Sequence, residues 1–174
     1  MEICKISSYL RVGLLLDYYS PHTVITWADK MIGSGVNDER LIDISLSENK
    51  SIKEIVSLLG LWDEDSLTTS FENEIDNYYM SFLYFSLKGN IDSWLKIEKE
   101  VVRFFYLGRM NMTDEVRLFA SILIEDFSLR EDGFGGSMAM PSEMFEFLRG
   151  FEKHFSVLQD MLKQNGLPDP DIKI

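Results

Sequence analysis

Apolar residues recur three and four positions apart along nearly the whole chain, and that spacing constrains the fold more than any other feature. Ser20-Pro21 reads as a helix start, a capping hydroxyl before a proline in the first turn. Val24, Trp27, Ala28 and Met31 then mark one face until Gly33 and Gly35 stop it. Ser51 and Glu54 fit a capping box, with Ile52, Ile55, Val56 and Leu59 behind it. A helix over 71–88 carries Phe71, Ile75, Tyr78, Phe82 and Phe85 on one side; Gly89 closes it and Asn90 can cap the next. Ile91, Trp94, Leu95, Val101, Val102 and Phe105 form the following helix, which ends near Gly108. Thr113 precedes acidic first-turn residues Asp114 and Glu115, and Val116, Phe119, Ala120, Leu123 and Phe127 supply an apolar face. The cleanest amphipathic pattern is Met144, Leu148, Phe151, Phe155, Leu158 and Leu162, ended by Gly166 before Pro168 and Pro170.

No Asn-Gly or Asp-Gly turn joins two alternating runs, and Asp132-Gly133 is flanked by charge and glycine. The expected fold is therefore all-α: a single-domain bundle or short solenoid, residues 1–174, of about six to eight helices. A seam is expected near 62–66 and an irregular loop over 133–141, neither long enough to separate independent domains. No period of a known helical repeat stands out.

At 174 residues, 45% apolar and 13% aromatic, the chain can bury a core without a metal or disulfide staple. Cys4 is the single cysteine, which fits a reducing compartment. Arg11 and Asp17 break the N-terminal apolar run, so no secretory signal is expected, and no stretch is long enough for a membrane span. The expected location is cytoplasmic, with no membrane partner.

The catalytic and cofactor patterns fail one by one. Asp63, Asp65 and Glu74 occupy the first, third and twelfth positions of a calcium loop, but Leu67 and Thr68 stand where a ligand and the required glycine belong. Gly133-Phe134-Gly135-Gly136 lacks both the preceding strand and the Lys-Ser/Thr pair of a phosphate cradle. His22, His154 and Cys4 are too few for structural zinc. The expectation is a protein that is not an enzyme, with no catalytic residue, metal or cofactor.

Charge carries more information. Between Asn37 and Tyr78 eleven acidic residues face three basic ones (Arg40, Lys50, Lys53), most of the chain's net −12. Such a segment attracts basic partners and repels nucleic acid. The candidate binding face is Trp62, Asp63, Glu64 and Asp65 with Glu72, Asp76 and Tyr79, the last three along one helix edge beside Leu83. Aromatics beside carboxylates suit a protein interface, where tyrosine and tryptophan anchor and charge steers. The alternative is that Trp62 and Tyr79 complete the core.

The first 60 residues also resemble a family. Gly13-Leu14-Leu15-Leu16, Ser20-Pro21, Val24-Ile25, Trp27-Ala28-Asp29-Lys30 and Ile32, then Leu41-Ile42-Asp43-Ile44-Ser45-Leu46, Ile55 and Leu58-Leu59, are similar to small helical bacterial immunity proteins of polymorphic-toxin and contact-dependent inhibition systems. The resemblance rests on helix-packing positions and carries over no functional residue. It implies a non-enzymatic protein that neutralises a cognate toxin by occluding a basic active-site cleft with its acidic face. The other readings are a helical scaffold or adaptor in a bacterial regulatory complex and, third, a small carboxylate-based enzyme.

Overall fold

The computed structural model describes residues 2–62, 69–89, 94–106, 114–134 and 141–170. Among these the protein is all-helical, without a strand. Nine α-helices run in order: α1 (Glu2–Leu15), α2 (Pro21–Gly33), α3 (Glu39–Ser45), α4 (Ile52–Leu59), α5 (Thr69–Gly89), α6 (Trp94–Tyr106), α7 (Asp114–Glu131), α8 (Pro141–Arg149) and α9 (Phe155–Gln164). Short 3₁₀ turns occupy Gly60–Trp62 and Glu152–His154. No helix among the described residues is long and apolar enough to cross a membrane.

The chain divides into two compact units, residues 1–68 with 157–173 and residues 69–156. In the first, local signals set the helix ends. Ser20 caps α2 by accepting from the Thr23 amide at 3.2 Å, with Pro21 in the first turn. Gly35 takes the left-handed φ of 92° that ends the segment. Ser51 and Glu54 form the expected capping box at α4, leaving two otherwise orphaned amide donors satisfied. α2 packs on α3, and α4 packs on α1 and α3. Ile6, Leu10, Val24, Trp27, Leu41, Ile44, Ile55 and Leu59 are buried core residues of this unit.

In the second unit α5 packs against α6, α8 and the second 3₁₀ turn. Its buried residues therefore spread well beyond one stripe: Ile75, Asp76, Tyr78, Tyr79, Met80, Leu83, Tyr84 and Leu87 are all inside. An edge on the helical wheel is here an interior position, because the helix has neighbours on several sides.

The longest amphipathic pattern, Met144 to Leu162, is not one helix. α8 ends at Arg149, and Gly150, Phe151 and His154 donate to carbonyls three residues back, Phe147, Leu148 and Phe151, at 3.0–3.2 Å. Glycine is a poor helix former, so a tighter turn costs little there. The break lets Phe155 pack on Phe85, ring centroids 4.3 Å apart, and stack near Tyr78 at 6.3 Å. Asn90, Ile91 and residues 135–140 of the 133–141 loop lie outside the described residues, as do residues 63–68 of the 63–74 calcium-like segment; Pro141 opens α8 and residues 69–74 belong to α5.

Candidate functional site

Among the described residues the carboxylates of the acidic segment go to different uses. Of its eleven carboxylates, Asp63, Glu64 and Asp65 lie outside the described residues, as does the Glu72 side chain. Asp76 is buried, 2% exposed. Asp38 is engaged: it caps α3 through the Arg40 amide at 3.0 Å, accepts from the Arg40 guanidinium at 2.9–3.0 Å, and accepts from the Trp62 indole N–H at 3.2 Å. Glu54 closes the capping box. Glu39, Asp43, Glu48 and Glu74 remain exposed.

The aromatic anchors are corrected in the same way. Trp62 is 1% exposed, its ring covered by the Arg40 guanidinium at 4.7 Å and set edge-on to Trp27 at 6.4 Å. Tyr79 is fully buried against Phe104, centroids 6.1 Å apart. Trp62 and Tyr79 therefore pack within their own units, and Trp62, Asp76 and Tyr79 present no surface to a partner. The reason is burial by other elements, which wheel position alone does not reveal.

The second unit instead contains a cleft of about 670 Å³ between α5, α7, α8 and the second 3₁₀ turn. Its apolar lining is Val116 and Phe119 from α7 with Phe147 and Phe151 from the end of α8 and the turn after it. Phe119 and Phe147 stack with centroids 4.0 Å and planes 12° apart, and Phe151 meets Phe147 edge-on at 5.4 Å. The sequence builds this floor by helical spacing: Val116 and Phe119 are one turn apart, as are Phe147 and Phe151. All four are half-buried, so their rings are only partly used by the core.

Polar groups rim the floor: Asn77 from α5, Glu143 and Glu146 one turn apart on α8, and Lys153 and His154 from the 3₁₀ turn. Glu146 is exposed and shares a loose ion pair with Arg149 at 3.4 Å. Burial holds the His154 imidazole below its ordinary titration range, with Lys153 pushing the same way and Glu74 opposing. At neutral pH the ring is uncharged and can both donate and accept a hydrogen bond. An apolar floor with a few convergent polar groups is the usual form of a binding site. Two carboxylates beside an aromatic floor suit an apolar side chain that carries or neighbours a cation.

His22 is exposed at the start of α2, in the other unit. Among the described residues no three His, Cys, Asp or Glu side chains form a group that could hold a metal ion. Periodicity places Phe119 and Phe151 on buried faces and singles out neither Glu143 nor Glu146. The available signal was Glu143, Glu146, Phe147 and Phe151, acids and rings interleaved at helical spacing. No protein-family model, curated protein or solved structure matches this chain.

Proposed function

We propose that this chain is a non-enzymatic protein-binding module that captures a basic protein partner. The observation that carries this reading is the cleft with Phe119, Phe147 and Phe151 on its floor and Glu143 and Glu146 on its rim. A partner inserts one apolar or aromatic side chain onto the rings, a contact that contributes about 1.5–3 kcal/mol when fully buried. A neighbouring Lys or Arg meets the rim carboxylates, and the chain's net charge of −12 steers the approach. The form of this function that the N-terminal resemblance suggests is toxin neutralisation in a bacterial cytoplasm, the partner being a basic toxin domain whose active-site cleft is covered.

The test is co-expression with the product of the adjoining reading frame, scored by growth. Rescue of a toxic neighbour, lost on charge reversal with Glu143→Lys and Glu146→Lys, is the expected result. Rescue that survives those substitutions removes the cleft from the mechanism. A neighbour that is harmless alone removes the immunity form of the proposal.

A further inference from the structure

The outer side of α7 carries an apolar seam that nothing among the described residues covers. Leu118, Ile122 and Leu129 are 64%, 49% and 38% exposed, while Ala120 and Leu123 of the same helix are buried. At 3.6 residues per turn the three exposed side chains fall within about 40° of one another and span about 16 Å of helix. Scattered exposed leucines are ordinary, but three aligned over three turns form a patch. Their spacing is that of a helix–helix seam, in steps of four, three and four, with Glu125 at the remaining position.

Charge says what kind of helix fits. Between Asp114 and Asp132 there are six acidic residues and two basic ones. Both arginines are engaged: Arg117 pairs with Asp114 at 3.6 Å, and Arg130 reaches inward to buried Glu98. Glu125 and Asp132 are exposed and stand on the same border of the seam. A carboxylate within an otherwise apolar seam favours a partner with Lys or Arg at the facing position and disfavours a second copy of this chain, whose own Glu125 and acidic border would meet it.

We propose that the outer face of α7 is a docking surface for an amphipathic helix of a basic protein, its apolar side on Leu118, Ile122 and Leu129 and its Lys or Arg residues on Glu125 and Asp132. This surface is separate from the cleft and does not require the reading given for it. Both features sit on α7, so one basic protein can engage them together through two different contacts.

The experiment is calorimetric titration of the full chain with two synthetic helical peptides of about 18 residues, enough to hold some helix in water. Both carry a leucine seam; one has lysine flanks and the other glutamate flanks. The lysine peptide binds, and Leu118→Ser with Ile122→Ser weakens it by about tenfold or more. Glu125→Lys with Asp132→Lys weakens it by about fivefold at low salt, and about 0.5 M salt reduces that difference. A control substitution at the 75%-exposed Leu46, to Ser, leaves binding unchanged, and the cleft substitutions Glu143→Gln with Glu146→Gln report whether the peptide is captured there instead. The proposal is overturned if the lysine peptide does not bind, if both peptides bind alike, or if the cleft substitutions rather than the seam substitutions abolish binding. A concentration-dependent dimer in sedimentation, dissolved by Ile122→Ser, overturns it in favour of a second copy. The substituted positions are exposed, so a thermal melt close to that of the parent chain separates lost binding from lost folding.

Discussion

The two units use their polar residues differently. In residues 1–68 with 157–173, polar side chains tie elements to one another: Asp38 gathers Arg40 and Trp62, and Ser7 donates to the Leu59 carbonyl at 2.7 Å. Tyr9 and Tyr19 share a hydroxyl hydrogen bond at 2.8 Å, and Tyr19 donates on to the Pro168 carbonyl. Residues 69–156 rely more on ring packing, such as Tyr84 with Phe145 at 5.2 Å and Phe119 with Phe147 at 4.0 Å. Their buried charged groups include Glu98, which pairs with Arg130. Apolar residues are exposed in both, Ile42 and Leu46 in the first for example, but among the described residues only α7 aligns three of them along one long helix. Directional bonds consume the groups that make them, whereas a wide aromatic surface leaves rings over. Those leftover rings and leucines are what a partner can use.

The comparison breaks first, and hardest, at Trp62. Trp62→Ala removes a buried indole, its bond to Asp38 and the Arg40 cover, and is expected to cost about 3–5 kcal/mol. Hydrogen exchange should show the loss concentrated in residues 1–62. Equal loss of protection in α5 to α8 would mean that the two units unfold as one, and the contrast drawn between them would lapse.

Next comes the buried pair of the second unit. Arg130→Met leaves Glu98, fully buried, without its cation and is expected to cost about 3 kcal/mol. Adding Glu98→Met should restore most of that stability, because an apolar pair of similar volume needs no desolvation. Denaturant melts of the single and double variants check it. A double variant no better than the single would show that the pair is needed for more than neutralising itself.

A smaller effect sharpens the role of local caps. Ser51→Ala removes the capping box of α4 and should cost about 1 kcal/mol, with faster exchange in the first turn of α4 and little change in α5 to α8.

The smallest effect is in pH. Hydrogen bonds from the Arg40 side chain hold Asp38 below the usual carboxylate range, burial opposing. Its contribution is therefore full above the ordinary carboxylate titration and is lost only as pH falls through the lowered value. Burial also holds His154 down, so the unfolded chain binds its proton first. Stability then declines as pH falls from about 6.5, where a free histidine titrates, toward the lowered value in the fold. The second unit should thus soften in mild acid, where the first does not. His154→Gln should flatten that decline, whereas Asp38→Asn should lower stability at neutral pH and flatten only the more acidic limb.

Much of the helical framework was legible because its signals are local. Ser20-Pro21, the Ser51–Glu54 box and Gly166 at the end of α9, with φ of 65°, act within one or two turns. The binding surfaces were less legible. Trp62, Asp76 and Tyr79 look like an exposed edge on a wheel and are interior in the structure. Phe119 and Phe151 look like core and are only half covered. Of eleven acids close in sequence, the seven described ones scatter among a cap, a capping box, an interior site and exposed positions.

By itself the sequence determined that this chain is helical, where several of its helices begin or end, and that it carries a net charge of −12. Those properties follow from spacing, capping chemistry and charge, which need no knowledge of distant residues. Only the tertiary structure decided which faces are covered. Periodicity states that a helix has an apolar side, but the number of neighbours around α5, and the lack of one among the described residues beside the outer face of α7, depend on packing between segments far apart in the chain.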